Sequence, residues 1–168
     1  ASTWKRIAET HGEDVEFYVF SFKRKFIDPI LKKRKLIIFD LDGVLIDSRE
    51  LHYHALNDAL EKVGEEFLIS KEEHLSLYDG LNTTKKLEML SERKGLDRKY
   101  YNDIWTNKQL ATFGLVKTLF KKNDDIIRFF KLIKSRGIKI AVASNSIRET
   151  VKLSLLSIGV LEFVDYYI

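Results

Sequence analysis

Two carboxylates two residues apart, Asp40 and Asp42, close an apolar run in the stretch LIIFDLDGVLIDS, residues 36–48. At that spacing both side chains can converge near one point while the backbone turns between them. Gly43 follows, and glycine permits the positive φ or close backbone approach that such a turn needs. Paired carboxylates with exposed N–H groups around Asp42 and Gly43 suit a divalent cation together with an anion such as phosphate. Mg²⁺ is the natural cation, because it is held by one or two carboxylates plus phosphate oxygens. D-x-D-G by itself also reads as an ordinary polar turn. The decision rests on what surrounds it.

Lys35–Asp40 is a short, nearly continuous apolar strand of the kind buried on both faces of a parallel sheet. Its carboxyl end is where open parallel sheets bind ligands. A helix is expected over Arg49 to Val63, with Leu51, Ala55, Ala59, Leu60 and Val63 on one face and Gly64 as its stop. Ser70–Glu73, SKEE, has the pattern of a capping box. Further helices are expected over Thr83–Lys94, closed by Gly95, and over Arg98–Phe113. The regular pattern resumes with a helix from Asn123 to Gly137, acidic at its start and basic at its end. A buried strand over Ile138–Ser144 follows. Then come a helix over Ser146–Gly159, with a second capping box of Ser146 and Glu149, and a strand over Phe163–Ile168. The order implies an α/β fold: an incomplete, doubly wound, Rossmann-like parallel sheet with an inserted helical cap. The expected division is an N-terminal extension over 1–34, a core over 35–48 and 122–168, and a cap over 49–121.

The strand, D-L-D-G-V-L and the D-S that opens a helix together resemble the first motif of the haloacid dehalogenase-like (HAD) superfamily. VASNS, Val142–Ser146, resembles its second motif. The helices between them resemble the helical-cap subgroup that includes β-phosphoglucomutase-like phosphatases and mutases. The resemblance covers about Lys35 to Ile168. It implies that Asp40 is a nucleophile forming an aspartyl-phosphate and that Asp42 is a general acid and then base. It implies that the Asp40 carboxylate and the Asp42 main-chain oxygen ligate Mg²⁺. Gly43, Ser144 and Asn145 would bind the phosphoryl group. The second aspartate argues against a dehalogenase, which lacks the acid there. Within the cap, His52, Gly80 and Lys108 are candidate substrate residues. His52 also reads as a surface or half-buried histidine, and Lys108 as an exposed one. Trp105 and the tyrosines read as cap packing. The subgroup's mutases carry an arginine soon after the glycine, where this chain has Asn82 and Thr83. The expected activity is a phosphatase of a small phosphorylated metabolite. A phosphomutase or a non-catalytic binding fragment is the alternative.

The resemblance also implies a lysine and acidic residues after the third core strand, and the 168 residues contain neither. The sequence is therefore read as a fragment. Its first strand is expected to be an open edge that self-associates or pairs with the aromatic stretch Asp14–Phe22. Residues 1–35 hold nine basic and five acidic residues, a balance of 9 − 5 = +4, which is the whole net charge of the chain. That arm reads as a solvated segment or a weak site for an anionic partner, and nucleic acid is not expected. There are no cysteines, so disulfides and thiolate metal sites are excluded. His11, His54 and His74 form no convincing metal constellation. No apolar run is long enough for a membrane span, and no signal peptide is recognisable. A cytoplasmic protein is the expectation.

Overall fold

The structure, a computed structural model, describes residues 34–168. The expected strand over Asp14–Phe22, His11 and the basic arm lie outside the described residues. Three parallel strands form the sheet in the order β1 (Leu36–Asp40), β2 (Lys139–Ala143) and β3 (Tyr166–Tyr167). Leu36 pairs with Lys139 and Asp40 with Ala143, while Ala141 and Val142 pair with Tyr166 and Tyr167. Asp40 therefore ends β1 level with the end of β2, and the loops leaving both strands emerge at one rim.

Between β1 and β2 run α1 (Arg49–Glu61), α2 (Thr83–Lys94), α3 (Tyr101–Leu119) and α4 (Asp124–Ser135); α5 (Arg148–Ser157) joins β2 to β3. Local chemistry sets several of these ends. The Asn123 side chain accepts from the backbone N–H groups of Asp125 and Ile126, capping α4, and Asp124 and Asp125 complement its N-terminal dipole. Ser70 and Glu73 form the expected reciprocal capping box. It opens a short helical segment that runs through a π-helical turn, His74–Tyr78. Gly95 ends α2 at φ 71°, a conformation that glycine adopts without a Cβ penalty.

Two hydrophobic clusters result. One packs Phe39 of β1, Ile140 and Val142 of β2, Phe129, Phe130 and Ile133 of α4, and Val151 and Leu155 of α5. The other joins Leu56, Ala59 and Leu60 of α1 to Leu87 and Leu90 of α2, Ile104 of α3, and Phe67, Ile69 and Tyr78 of the connecting segments. The first covers the sheet and the second holds the inserted helices together. Helix α3 packs along α1 and also reaches α5, bringing the inserted helices over the sheet's rim.

Three expectations change. Helix α3 continues to Leu119 rather than stopping near Phe113, because Val116 extends its buried stripe by another turn. The third strand is two residues long, since Leu161–Phe163 forms a 3₁₀ turn before the chain reaches the sheet. Ser146 is not a capping residue. The residue that precedes α5 is Ile147, without a side-chain cap, and the Ser146 hydroxyl donates to Asp42 instead.

Candidate active site

The loop after β1 is a tight knot around a single carbonyl. Leu41 is fully buried, and its oxygen accepts from the N–H groups of Leu45 and Ile46 at 3.0 and 3.1 Å. Gly43 has φ 76°, the left-handed region that favours glycine. Its N–H donates to the Ile46 carbonyl at 2.8 Å, so Gly43 serves the turn and its donor is already engaged. The knot anchors Leu41 in the core and leaves Asp40 and Asp42 on the rim.

The two carboxylates occupy different environments. Burial pushes the Asp40 carboxyl above its ordinary value, and the negative Asp42 adds to that. The Leu41 N–H works the other way, donating to Asp40 Oδ1 at 2.7 Å. Burial would also raise Asp42, but hydrogen bonds from His52, Ser48 and Ser144 overcome it and hold that carboxyl at about 2. His52 Nε2 stands 3.3 Å from Asp42 Oδ1. The hydroxyls of Ser144 and Ser146 donate to Asp42 Oδ2 at 3.1 and 3.3 Å. Asp42 is thus an ionised acceptor at neutral pH, with donors drawn from both strand-end loops and from α1.

A cleft of about 1600 Å³ opens between this rim and the inserted helices, and Asp40, Asp42, Gly43, His52, Gly80, Lys108 and Asn145 line it. The structure brings those seven candidates together. Ser144, the eighth, does not line the cleft: its hydroxyl donates to Asp42 and its oxygen accepts from the Ser146 N–H. His52 enters from the first turn of α1, where its backbone N–H makes the helix's opening bond to Ser48. Its Nδ1 is buried and, among the described residues, has no hydrogen-bond partner. Gly80 has φ 70° at the turn before Asn82 caps α2.

Lys108 departs furthest from its surface reading. It is 7% exposed, on the α3 stripe Ile104, Lys108, Thr112 and Val116. That four-residue spacing is visible in the sequence and was the available signal. Trp105 is half-exposed on the cleft wall rather than packed within the helical cluster. Ser48, Ser146 and Lys86 also face the cleft and were not singled out for chemistry. Lys86 is 3% exposed, and only its place beside Leu87 and Leu90 on the buried side of α2 marks it in the sequence.

No group of three or more His, Cys, Asp or Glu residues stands together among the described residues. The donors at the rim are oxygens, the Asp40 carboxylate and the main chain beside it. That set matches Mg²⁺, which takes one or two carboxylates and completes its shell with water and phosphate oxygens. The charge of Asp42 already strains ionisation of Asp40, a repulsion that a cation would relieve. Among the described residues no helix is long and apolar enough to cross a membrane.

Comparison with known proteins gives a consistent picture. The family model for haloacid dehalogenase-like hydrolases matches residues 37–168. The β-phosphoglucomutase of Bacillus subtilis (strain 168) is 30% identical over 118 residues, covering 67% of this chain and 51% of that protein. The chain thus spans about half the length of this curated relative. The crystal structure of a β-phosphoglucomutase from Clostridium difficile superposes with a TM-score of 0.65 at 26% identity, over 80% of this chain and 60% of that one. CbbY from Rhodobacter sphaeroides, solved in complex with phosphate, shares the fold with a TM-score of 0.69 at 22% identity, over 80% of this chain and 62% of that one.

Proposed function

We infer the function from one premise: the chain belongs to the haloacid dehalogenase-like hydrolase family. On our reading it carries the nucleophile half of a Mg²⁺-dependent phosphatase acting on a small phosphorylated metabolite. The observation that carries this is the pairing of a cleft-lining Asp40 with an ionised Asp42 held by His52, Ser144 and Ser146 at the carboxyl end of β1.

In this reading an Asp40 carboxylate oxygen attacks phosphorus, a P–O bond forms, and the bond to the leaving oxygen breaks. The leaving oxygen takes a proton. Water then attacks the phosphorus of the aspartyl-phosphate, releasing phosphate and restoring Asp40. Asp42 in its ionised form suits the second half, where it would accept the proton of the attacking water. For the first half it must carry the proton that it gives to the leaving oxygen, and His52 Nε2 stands 3.3 Å from its carboxylate. Mg²⁺, held by the Asp40 carboxylate and the Asp42 main-chain oxygen, would supply charge neutralisation for the transferring group. Asn145 on the opposite loop would contact the phosphoryl oxygens, and Ser144 would join it by releasing Asp42.

Asn82 and Thr83 stand where mutases of the subgroup have an arginine, which favours a phosphatase over a phosphomutase. A second reading, a binding module that self-associates, has one observation behind it. Among the described residues β1 is the edge of the sheet, hydrogen-bonded to β2 alone. A panel of phosphate monoesters, assayed with and without Mg²⁺ on wild type and Asp40→Asn, tests the enzyme reading. Turnover confined to wild type with Mg²⁺ supports it. Equal turnover by both proteins eliminates Asp40 as nucleophile. Light scattering that finds a stable dimer, with no turnover, moves the balance to the second reading.

A further inference from the structure

Lysine ammonium groups are rarely removed from water without a carboxylate. This chain follows the rule where its lysines are more exposed. Lys71 pairs with Glu50, Lys94 with Glu73 and Lys134 with Asp165. Among the described residues the two most buried lysines break it. Lys86 on α2 and Lys108 on α3 are 3% and 7% exposed. Both line the cleft, and among the described residues neither has a carboxylate at ion-pair distance. A lysine that is buried, unpaired and reached from a cavity is driven toward its free amine, and the free amine is a nucleophile.

The surroundings of Lys86 favour that amine. Its Nζ is 3.5 Å from Nε2 of His74, itself 1% exposed. Burial, together with the Lys86 charge, lowers His74 to about 4, so the imidazole is neutral at physiological pH and supplies no counter-charge. The Tyr53 ring packs edge-on against His74 at 5.7 Å. Burial and the charge of Lys108 on α3 oppose the ammonium form of Lys86. Asp79, on the turn before α2, and Asp42, on the rim, favour it. Burial and repulsion prevail, and Lys86 is lowered to about 8. At that pH about half of it is the free amine, against under about 1% of an ordinary surface lysine.

We propose that Lys86 is a carbamylation site: its Nζ adds carbon dioxide reversibly, and the charge of Lys108 holds the carbamate. The nitrogen lone pair forms an N–C bond, one C=O electron pair moves onto oxygen, and a proton leaves the nitrogen for solvent. Nothing is oxidised or reduced. The product keeps one N–H, which can still donate to His74 Nε2. Lys86 passes from a cation to an anion, so repulsion from Lys108 becomes attraction. Two buried like charges become a balanced pair, the arrangement that Lys71, Lys94 and Lys134 reach with carboxylates. The amine, a cleft that admits a small neutral molecule and a second cation for the product meet at one place. Carbamylation thus sets the charge of this wall of the cleft, and it does so whatever the role of Asp40.

Chemical trapping on the full chain tests this. The protein is equilibrated with ¹³C-labelled bicarbonate at about pH 8, carbamates are fixed by alkylation with a trialkyloxonium salt, and the labelled lysines are mapped by peptide mass spectrometry. Label at Lys86 should exceed that at its exposed neighbour Lys85 by about tenfold or more, and should be lost by about pH 6. ¹³C NMR should show a bound carbamate resonance that disappears in Lys86→Arg, which keeps a positive charge but has no amine to react. Lys108→Met removes the neighbouring cation and should lower the label at Lys86 by about threefold or more, while Lys108→Arg should restore it. No label at Lys86, label at Lys85 of equal strength, or label at Lys86 unchanged in Lys108→Met overturns the proposal. The wild-type map alone decides between Lys86 and the surface, so the test stands even where a variant fails to fold.

Discussion

The depressed Asp42 carboxyl has a measurable consequence for stability. Its side chain is 30% exposed, and its value falls from 3.8 to about 2 on folding. That is nearly two units, and at about 1.4 kcal/mol per unit the ionised form stabilises the fold by roughly 2 kcal/mol. The folded value lies below the unfolded one, so the folded state binds fewer protons. The contribution is therefore complete above about pH 5 and fades as pH falls toward about 2, with about half gone by pH 3. Asp42→Asn keeps the side-chain shape but has no charge to lose. Urea unfolding of the two proteins, followed by tryptophan fluorescence from about pH 6 to pH 3, isolates the effect. The stability gap between wild type and Asp42→Asn should be flat at the upper end and close by about 1 kcal/mol by pH 3. His52→Ala, which removes the leading donor to the carboxylate, should shrink that closure. A gap that stays constant with pH, or widens in acid, would refute the claim that Asp42 is held ionised by its donors.

Other residues give simpler expectations. Phe130 is fully buried, with its ring 5.0 Å from Phe39 of β1. Phe130→Ala should cost about 3–5 kcal/mol in urea unfolding, and a loss under about 1 kcal/mol would mean the core is not built as described. Ser70→Ala removes one half of a capping box on a largely exposed turn. It should cost about 1 kcal/mol and leave phosphate-ester binding untouched.

The elements that were legible are those set by neighbours in sequence. The apolar runs of β1 and β2, the Ser70–Glu73 capping box and the Gly95 stop need only local chemistry. The placing of Asp40, Asp42 and Gly43 together at the cleft was legible for the same reason, since one loop carries all three. What escaped depends on distance along the chain. Ser146 with Glu149 satisfies the capping pattern, yet its hydroxyl is taken by Asp42, 104 residues away. The one local mark that Lys86 carries is its place beside Leu87 and Leu90, and a helical lysine reads as surface until the opposite wall is in place. Lys108 lies between these cases: its stripe was readable, but the charge outweighed the spacing. The shortened third strand reflects a turn at Leu161–Phe163 that its apolar composition disguised as sheet.

The central claim is that the Asp40 carboxylate is the oxygen that bonds phosphorus. Trifluoroberyllate mimics a phosphoryl group by bonding a carboxylate oxygen, and its fluorines report the adduct directly by ¹⁹F NMR, whether or not the chain turns over a substrate. Wild-type protein with Mg²⁺, beryllium and fluoride should give bound resonances that vanish in Asp40→Asn and persist in Ser70→Ala. Bound resonances of equal intensity in Asp40→Asn, or none in wild type with Mg²⁺ present, would contradict the account.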